Sequence, residues 1–322
     1  MSDKFRRALI VNKFIPSLVD YGVEKFDVVE FAECGAEGLV YLQRKHRSPC
    51  VVRVHCPTQL LIEHNDRGHS LGNNLLVMAE RMSSKRADMV TAPSRSAAAM
   101  ASTRWKLTNS DPVVIPNLYN AVVFNVEKEW QNRKPFVIVY SGRIERLKGV
   151  MSFPEILSKL HSWGMDFEMR IIGQDTNTAP GHTSMREWLM RSCSPEVRQR
   201  VVFLGQLGEV VLAEELRKAS VGLYLSAYET FGYTVLEAQA CGVPVVASRC
   251  GGFEDIVVDG ETGYIVDVNN IDNITQCLFH LYEDAELRRK LSCTSHARAR
   301  DRFSVAGRIN DVTNFYTAFA VS

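Results

Sequence analysis

Short apolar runs alternate along the chain with longer segments whose apolar residues have helical spacing. In the second half, residues 221–225 and 243–247 are two apolar runs of strand length, and the segment 231–241 between them places apolar residues at helical intervals. The same alternation of strand and helix continues through the whole chain. We therefore expect an α/β fold with doubly wound parallel sheets.

The pattern also predicts the individual elements. In the first half, it predicts strands at 7–11, 28–31, 50–54, 88–92 and 113–115, and helices at 36–45, at 71–86 and after a capping Ser94. In the second half, it predicts strands at 136–140, 168–172, 201–204, 221–225, 243–247 and 264–266, and late helices at 271–291, 295–303 and 305–319. The polar stretch 121–134 is interpreted as a linker. The expected domains are thus 1–120 and 121–303, followed by a helix within 304–322.

The composition is that of an ordinary soluble globular protein, with 46% hydrophobic and 23% charged residues. The net charge is +1, which is too small a basic excess to argue for nucleic acid, and no nucleic-acid partner is expected. The eight cysteines show no C-x-x-C spacing, which disfavours a zinc site and fits reduced thiols in a cytoplasmic protein. No apolar run reaches about 18 residues. We therefore expect any membrane contact to be peripheral.

Two glutamates flank the strand-to-helix connection near residue 231. Glu229 falls in the loop at the carboxyl end of the strand, and Glu237 lies inside the helix. Open parallel sheets bind ligands in the crevice beyond the carboxyl ends of their strands. Two carboxylates at that place can hold sugar hydroxyls. The alternative is that both are solvated charges, which is the usual fate of glutamate.

A second candidate site follows the strand predicted at 136–140, where the sequence continues SGRIERLKG. Gly142 lets the backbone approach a ligand closely, and we expect the loop to lead straight into a helix whose amino end attracts anions. Arg143 and Lys148 add two cations suited to a diphosphate. The P-loop pattern G-x-x-x-x-G-K-[ST] is absent. The alternative is that both cations are simply solvated.

The segment that starts at Glu229 resembles a known family. Glu229 and Glu237 enclose Phe231 and Gly232, and the matching order continues through Ala238, Cys241, Gly242, Val243, Pro244, Val245, Val246, Ala247, Gly251, Gly252, Asp259, Gly260, Thr262 and Gly263. This order resembles retaining family-4 glycosyltransferases of the GT-B fold, the glycosyl transferases group 1. Residues 87–94 and 113–117, with His55 at a strand end, are similar to the acceptor-side domain of that family.

The resemblance implies two Rossmann-like domains that face a cleft and a C-terminal helix that crosses back to the first domain. In this chain the N-terminal domain is expected to be reduced, because its first half is short. The donor substrate would be a UDP- or GDP-linked sugar, and no separate cofactor is implied. The implied catalytic residues are Arg143, Lys148, Glu229 and His55. The implied donor-binding residues are Gly142, Arg143, Lys148, Glu229, Phe231, Gly232, Tyr233, Thr234 and Glu237.

Within this set the resemblance gives each group a role. Glu237 holds the ribose hydroxyls, Glu229 the hydroxyls of the transferred sugar, and Arg143 with Lys148 the diphosphate. His55 contacts the transferred sugar. The acceptor is a glycan, a lipid-linked molecule or a small molecule. No Asp-x-Asp run sits at a strand end, so no divalent metal is expected to bridge the phosphates, and the implied transfer retains the anomeric configuration.

The start of the chain departs from the family pattern. Family members open with a strand and a glycine-rich loop, whereas this chain has one glycine, Gly22, before residue 35. Three explanations stay open: the acceptor domain is naturally reduced, the first strand and loop are missing from this chain, or a partner subunit completes the N-terminal domain. The alternative function is that of a nucleotide-sugar-binding subunit without its own activity that supports a partner transferase. A GT-B sugar-nucleotide epimerase is a third reading, which the glutamate pair and the basic loop fit less well.

Basic residues cluster at two places in the first domain. The clusters are Arg44, Lys45 and Arg47, and Arg81, Lys85 and Arg86. Anionic lipid attracts each nearby cation by about 1 kcal/mol. The clusters thus favour peripheral contact with the inner face of a membrane or with a lipid-linked acceptor, although a solvated face explains them equally well.

Overall fold

The computed structural model describes residues 26–64, 70–107, 111–126 and 135–321. The contacts of the chain divide it into two units. One comprises the residues up to Asn117 together with those from Ile309 onward, and the other is Leu118–Arg308. Each unit has its own parallel sheet and its own core of buried apolar side chains. The expectation of an α/β fold with parallel sheets is therefore confirmed.

The first unit is built on four parallel strands. In sheet order they are β1 (Val29–Ala32), β2 (Cys50–Arg53), β3 (Met89–Ala92) and β4 (Val113–Val114). The intervening helices are α1 (Thr58–His64), α2 (Leu71–Arg86) and α3 (Arg95–Trp105). The four strands lie within one residue of their predicted bounds, and the strand predicted at 7–11 lies outside the described residues. Ser94 caps α3 as expected, because its Oγ accepts the N–H of Ala97 at 3.0 Å.

The helix predicted at 36–45 is wrong. The structure has bends and turns there, with one short 3-10 helix, Tyr41–Gln43. Gly35 and Ala36 both have positive φ, +84° and +51°, at the point where the helix was expected to begin. Two successive left-handed residues turn the chain instead of starting a right-handed helix.

Helix α2 has its predicted bounds, but its buried face is not its apolar one. The apolar residues Leu75 and Met78 have helical spacing, yet each is 55% exposed. The buried residues are Glu80, Ser83 and Ser84. The carboxylate of Glu80 accepts hydrogen bonds from the N–H of Gly35 at 3.0 Å and from the hydroxyl of Thr58 at 2.6 Å. These bonds satisfy the buried carboxylate of Glu80 and orient the helix.

The second unit is built on six parallel strands. They are β5 (Phe136–Ser141), β6 (Phe167–Ile172), β7 (Val201–Gly205), β8 (Val221–Tyr224), β9 (Val245–Ser248) and β10 (Gly263–Val266), in the sheet order β10-β9-β8-β5-β6-β7. All six lie within two residues of their predicted bounds. Every residue of β5, β8 and β9 is buried. Continuous apolar runs are typical of parallel strands covered on both faces.

Helices cover this second sheet. They are α4 (Phe153–Ser162), α5 (Met185–Ser192), α6 (Pro195–Arg198), α7 (Glu209–Arg217), α8 (Tyr233–Ala240), α9 (Phe253–Ile256), α10 (Ile271–Glu283) and α11 (Ala285–Phe303). A last helix, α12 (Val305–Val321), follows, and its residues from Ile309 onward group with the first unit.

Two predicted boundaries in this unit differ from the structure. The helix predicted at 271–291 is interrupted at Asp284, whose side chain accepts the N–H of Leu287 at 2.8 Å and begins α11. The stretch 121–134, predicted as a linker, belongs in part to the second unit, because Phe124 is buried in the core of that unit. Residues 127–134 of that stretch lie outside the described residues.

The strand order of the second sheet reverses between β5 and β8. From β5 the chain goes to β6 and β7 on one side, and it then returns to β8, β9 and β10 on the other. Open α/β sheets bind ligands beyond the carboxyl ends of the strands at such a switch point. The loops that follow β5 and β8 therefore form the candidate site.

Candidate functional site

The loops after β5 and β8 are in direct contact. The N–H of Ala227 donates to the carbonyl of Leu147 at 2.8 Å. Gly149 makes this approach possible, since a Cβ at this position would lie 1.8 Å from the carbonyl oxygen of Leu225. Any side chain at residue 149 would force the loops apart. The contact brings the two predicted groups of site residues together.

Gly142 and Arg143 follow β5 directly, and their backbone is fixed by hydrogen bonds. The N–H of Gly142 donates to the carbonyl of Ile172 at 2.9 Å, so it is already occupied. The hydroxyl of Tyr140 donates to the carbonyl of Arg143 at 2.6 Å. The Arg143 side chain is 50% exposed, and its Nη2 lies 3.0 Å from Oε1 of Glu145. A rigid backbone thus carries a guanidinium that a ligand can reach.

The expectation that this loop leads straight into a helix is wrong. Arg146–Lys148 form one 3-10 helix, Gly149 has a left-handed φ of +71°, and Val150–Ser152 form a second 3-10 helix before α4 begins at Phe153. The left-handed residue that permits the loop contact also interrupts the helix. Lys148 therefore does not lie at the amino end of an α-helix.

Lys148 and Glu229 form an ion pair across the two loops. Lys148 Nζ lies 2.6 Å from Glu229 Oε1, and both side chains are largely buried. The hydroxyl of Ser226 donates to the same oxygen at 2.8 Å. These contacts leave Oε2 of Glu229 without a hydrogen-bond or ion-pair partner within the described part of the chain. The pair sets a fixed cation beside a carboxylate that can still accept hydrogen bonds.

The amino end of α8 adjoins the same loops. No side chain caps it, and Gly232 precedes it with φ +107°, where a Cβ would lie 2.5 Å from the ring of Phe253. Tyr233 is exposed, and the methyl group of Thr234 approaches Gly142. The Phe231 ring is buried, so only its backbone can face a ligand. An uncapped helix amino end with its dipole favours a bound anion.

Glu237 lies one turn further along α8 and is mostly buried. Burial, together with the negative charge of Glu209, raises the pKa of Glu237 to about 7. Its carboxylate forms no hydrogen bond or ion pair with any residue that the structure describes. Because Glu237 keeps partial exposure, a ligand that donates hydrogen bonds can reach this carboxylate.

His55 belongs to the first unit and follows β2. Its ring is half-exposed, with Nδ1 3.1 Å from the carbonyl oxygen of Arg53 and 3.8 Å from Oε2 of Glu33. The buried carboxylate of Glu33 accepts the backbone N–H groups of His55 at 2.5 Å and of Cys56 at 2.7 Å. Burial raises the pKa of Glu33 to about 7. Glu33 thus fixes the backbone that carries the histidine.

Sequence reasoning missed four residues that support these positions. They are Glu33 and Glu80 in the first unit, and Glu145 and Ser226 in the second. Two of them carried a usable signal, since Ser226 and Glu145 each lie within three residues of a predicted site residue at a strand end. Glu33 and Glu80 carried none, because the backbone N–H groups and the Thr58 hydroxyl that they bind are distant in sequence.

Neither a metal cluster nor a membrane span is found in the described segments. No group of three or more His, Cys, Asp or Glu side chains is placed to hold a metal ion there. Nor does any helix in those segments combine the length and apolar character needed to cross a membrane.

A family model places the chain in a class of protein, the glycosyltransferases. The family model of the glycosyl transferases group 1 matches residues 124–298, more than half of the chain, and the chain belongs to this family. A second model, Glycosyltransferase Family 4, matches residues 2–121. The resemblance stated from the sequence is therefore confirmed.

Curated relatives match parts of the chain. The N-acetyl-alpha-D-glucosaminyl L-malate synthase of Bacillus anthracis is 35% identical over 107 residues, which are 33% of this chain and 28% of that protein. The D-inositol 3-phosphate glycosyltransferase of Paenarthrobacter aurescens is 32% identical over 169 residues, 51% of this chain and 40% of that protein. The chain spans less than half the length of these relatives.

Solved structures share the fold over nearly the whole chain. Sucrose-phosphate synthase from Thermosynechococcus elongatus superposes with a TM-score of 0.78 at 20% identity, covering 96% of this chain and 78% of that one. Anabaena HepE in complex with UDP and glucose superposes with a TM-score of 0.70 at 20% identity, covering 94% and 81%. The GT-B fold expected from the sequence is confirmed.

Proposed function

We propose that the protein is a retaining glycosyltransferase that moves a sugar from a nucleoside-diphosphate sugar to a hydroxyl acceptor. One observation carries the proposal. Lys148 and Glu229 pair at 2.6 Å at the switch point of the second sheet, so a cation for a phosphate adjoins a carboxylate for a sugar. The names of the curated relatives, a glycosyltransferase and a glucosaminyl malate synthase, support this class of reaction.

The diphosphate would bind to Arg143, Lys148 and the amino end of α8. A nucleoside diphosphate leaves readily once its growing negative charge is stabilised, and fixed cations and N–H dipoles do this without reorganisation. The Arg143 guanidinium is accessible on a backbone that Tyr140 anchors. Lys148 is held in place by Glu229 before the donor arrives. These groups would supply the charge stabilisation, so we propose that the transfer needs no divalent metal.

The two carboxylates would divide the sugars of the donor between them. Glu229 lies beside Lys148, the cation that we place at the diphosphate. We assign Glu229 to the hydroxyls of the transferred sugar. Glu237 has no protein partner in the described part of the chain, and we assign it to the ribose hydroxyls. The assignment of His55 to the transferred sugar stays a prediction.

The donor would be UDP- or GDP-linked, and the structural likeness to a protein bound to UDP and glucose favours UDP. For the acceptor, the relatives named for inositol 3-phosphate and for malate favour a small, anionic hydroxyl compound. A glycan or lipid-linked acceptor uses the same hydroxyl chemistry and is the alternative.

A thermal-shift series with UDP, GDP and ADP tests the donor site. A ligand at 100 times its Kd should stabilise the fold by about 2.7 kcal/mol. We expect one of the three to raise the Tm, and no response to any of them would contradict the donor site. Hydrolysis of the matching sugar nucleotide then separates an enzyme from a binding subunit, because only the enzyme releases free sugar.

A further inference from the structure

We propose that Glu145 is a positioning residue that holds the guanidinium of Arg143 ready for the diphosphate. This inference rests on the proposed function. Glu145 is 1% exposed, although it lies in the loop next to an accessible arginine. Its Oε1 is 3.0 Å from Nη2 of Arg143. A buried anion therefore holds the cation that faces the ligand.

Glu145 is connected to both cations of the loop. Its backbone is extended, with φ −141° and ψ 157°, between Arg143 and the 3-10 helix that ends at Lys148. Its carbonyl oxygen accepts the N–H of Lys148 at 3.0 Å. The side chain thus fixes Arg143, and the main chain fixes the turn that carries Lys148.

The contact with Arg143 depends on charge. Oε1 of Glu145 makes no aligned hydrogen bond within the described residues, and no cation other than Arg143 pairs with this carboxylate there. An ionised carboxylate buried in this way needs a counter-charge. A guanidinium has five N–H donors in a fixed fork, so contact through Nη2 leaves the other donors for a phosphate. Holding the fork in place before binding lowers the entropy lost when the ligand binds.

The variant Glu145→Gln tests this role because it keeps the shape of the side chain and removes its charge. We expect the affinity for the nucleoside diphosphate to fall about tenfold, in the range for loss of a charged contact. The affinity for the matching nucleoside, which has no phosphate, should not change, whereas a general structural defect would weaken both. Glu168→Gln is the matched control, since Glu168 pairs with Arg170 on β6.

A double-mutant cycle shows whether Glu145 acts through Arg143. Calorimetric titration with the nucleoside diphosphate is made for Arg143→Ala, Glu145→Gln and the double variant. We expect Arg143→Ala to weaken binding and Glu145→Gln to add nothing to that loss. Additive losses, or unchanged or tighter binding in Glu145→Gln, would overturn the positioning role and leave the proposed function standing.

The same cycle distinguishes a failure of the proposed function from a failure of the positioning role alone. If Arg143→Ala leaves the affinity for the diphosphate unchanged, the diphosphate site itself is wrong, and the positioning role falls with it. Should Glu145→Gln not fold, Glu145→Asp takes its place. The aspartate keeps the charge, but its shorter side chain no longer reaches Nη2 of Arg143. We expect Glu145→Asp to weaken diphosphate binding as well, and full affinity in that variant would overturn the inference.

Discussion

Lys148 Nζ lies 2.6 Å from Glu229 Oε1, and the two residues are 81 positions apart in the sequence. The pair joins the loop after β5 to the loop after β8 at the switch point of the sheet. Buried ion pairs need further hydrogen bonds to offset their desolvation, and Ser226 provides one to the same carboxylate at 2.8 Å. The site is therefore ordered by its own residues.

Lys148→Met removes the cation that we place at the diphosphate. Loss of a charged contact costs about 1.5 to 3 kcal/mol, so we expect the Kd for the nucleoside diphosphate to rise roughly tenfold to hundredfold. Calorimetric titration measures it. Lys159→Met is the control, since Lys159 pairs with Asp272 elsewhere in the same unit. Equal affinity in the Lys148 and Lys159 variants would contradict the assignment.

Glu237 should give donor binding a pH dependence. The pKa of Glu237 is raised to about 7 by burial and by Glu209, and we propose that the ionised form accepts hydrogen bonds from ribose. The ionised fraction grows about tenfold between about pH 6 and pH 8, so we expect the affinity for the nucleoside diphosphate to rise by up to that factor. Titrations at both pH values measure the rise. The terminal phosphate of the ligand also ionises, at about pH 6, and this could change the affinity by itself. The variant Glu237→Gln is therefore the control, because the phosphate still titrates in it and residue 237 does not. A rise of the same size in that variant would assign the effect to the phosphate.

Glu33 should make the loop at His55 less stable as the pH rises. Burial raises the pKa of Glu33 from 4.5 to about 7. Because the folded pKa lies above the unfolded one, the protonated form stabilises the fold below about pH 4.5, and this contribution of up to about 3 kcal/mol is lost as the pH rises through about 7.

Hydrogen exchange of the peptide that contains residues 55–58 measures this change. We expect its protection factor to fall between about pH 6 and pH 8, and to be nearly independent of pH in Glu33→Gln. Residues 221–224 of β8 are the internal control, since they lie in the other unit. An unchanged pH dependence in Glu33→Gln would show that another group titrates.

The reaction should not need a divalent metal. In the proposed site Arg143 and Lys148 would supply the positive charge at the diphosphate, and a chelator should therefore leave the rate of donor hydrolysis unchanged. The measurement is the release of free sugar with and without EDTA. Loss of turnover in EDTA, followed by recovery with magnesium or manganese, would contradict this prediction.

The sheets could be predicted from the sequence because their strands are buried on both faces. Every residue of β8 and β9 is buried, and such strands appear as unbroken apolar runs. Glu229 and Glu237 could be singled out because they follow one of these runs. The start of the helix capped by Ser94 could also be predicted from the local sequence, because the capping hydroxyl binds an N–H group only three residues further on.

The remaining features depend on tertiary contacts that a local pattern does not contain. The buried face of α2 does not follow from its apolar spacing, because Glu80 binds Gly35 and Thr58 and these bonds override the apolar stripe. The helix after Lys148 was misplaced because Gly149 adopts a left-handed conformation against Leu225. The pairing of Lys148 with Glu229 depends in turn on that contact.

The division of roles between Glu229 and Glu237 is the central claim, and one calorimetric experiment tests it most directly. The nucleoside diphosphate is titrated into the wild-type protein, Glu229→Ala and Glu237→Ala, with folding checked by thermal denaturation. We predict that Glu237→Ala weakens binding roughly tenfold to hundredfold, because it loses the ribose contact. We predict that Glu229→Ala keeps the wild-type affinity, because the nucleoside diphosphate lacks the transferred sugar. Equal losses in both folded variants, or no loss in either, would contradict the account.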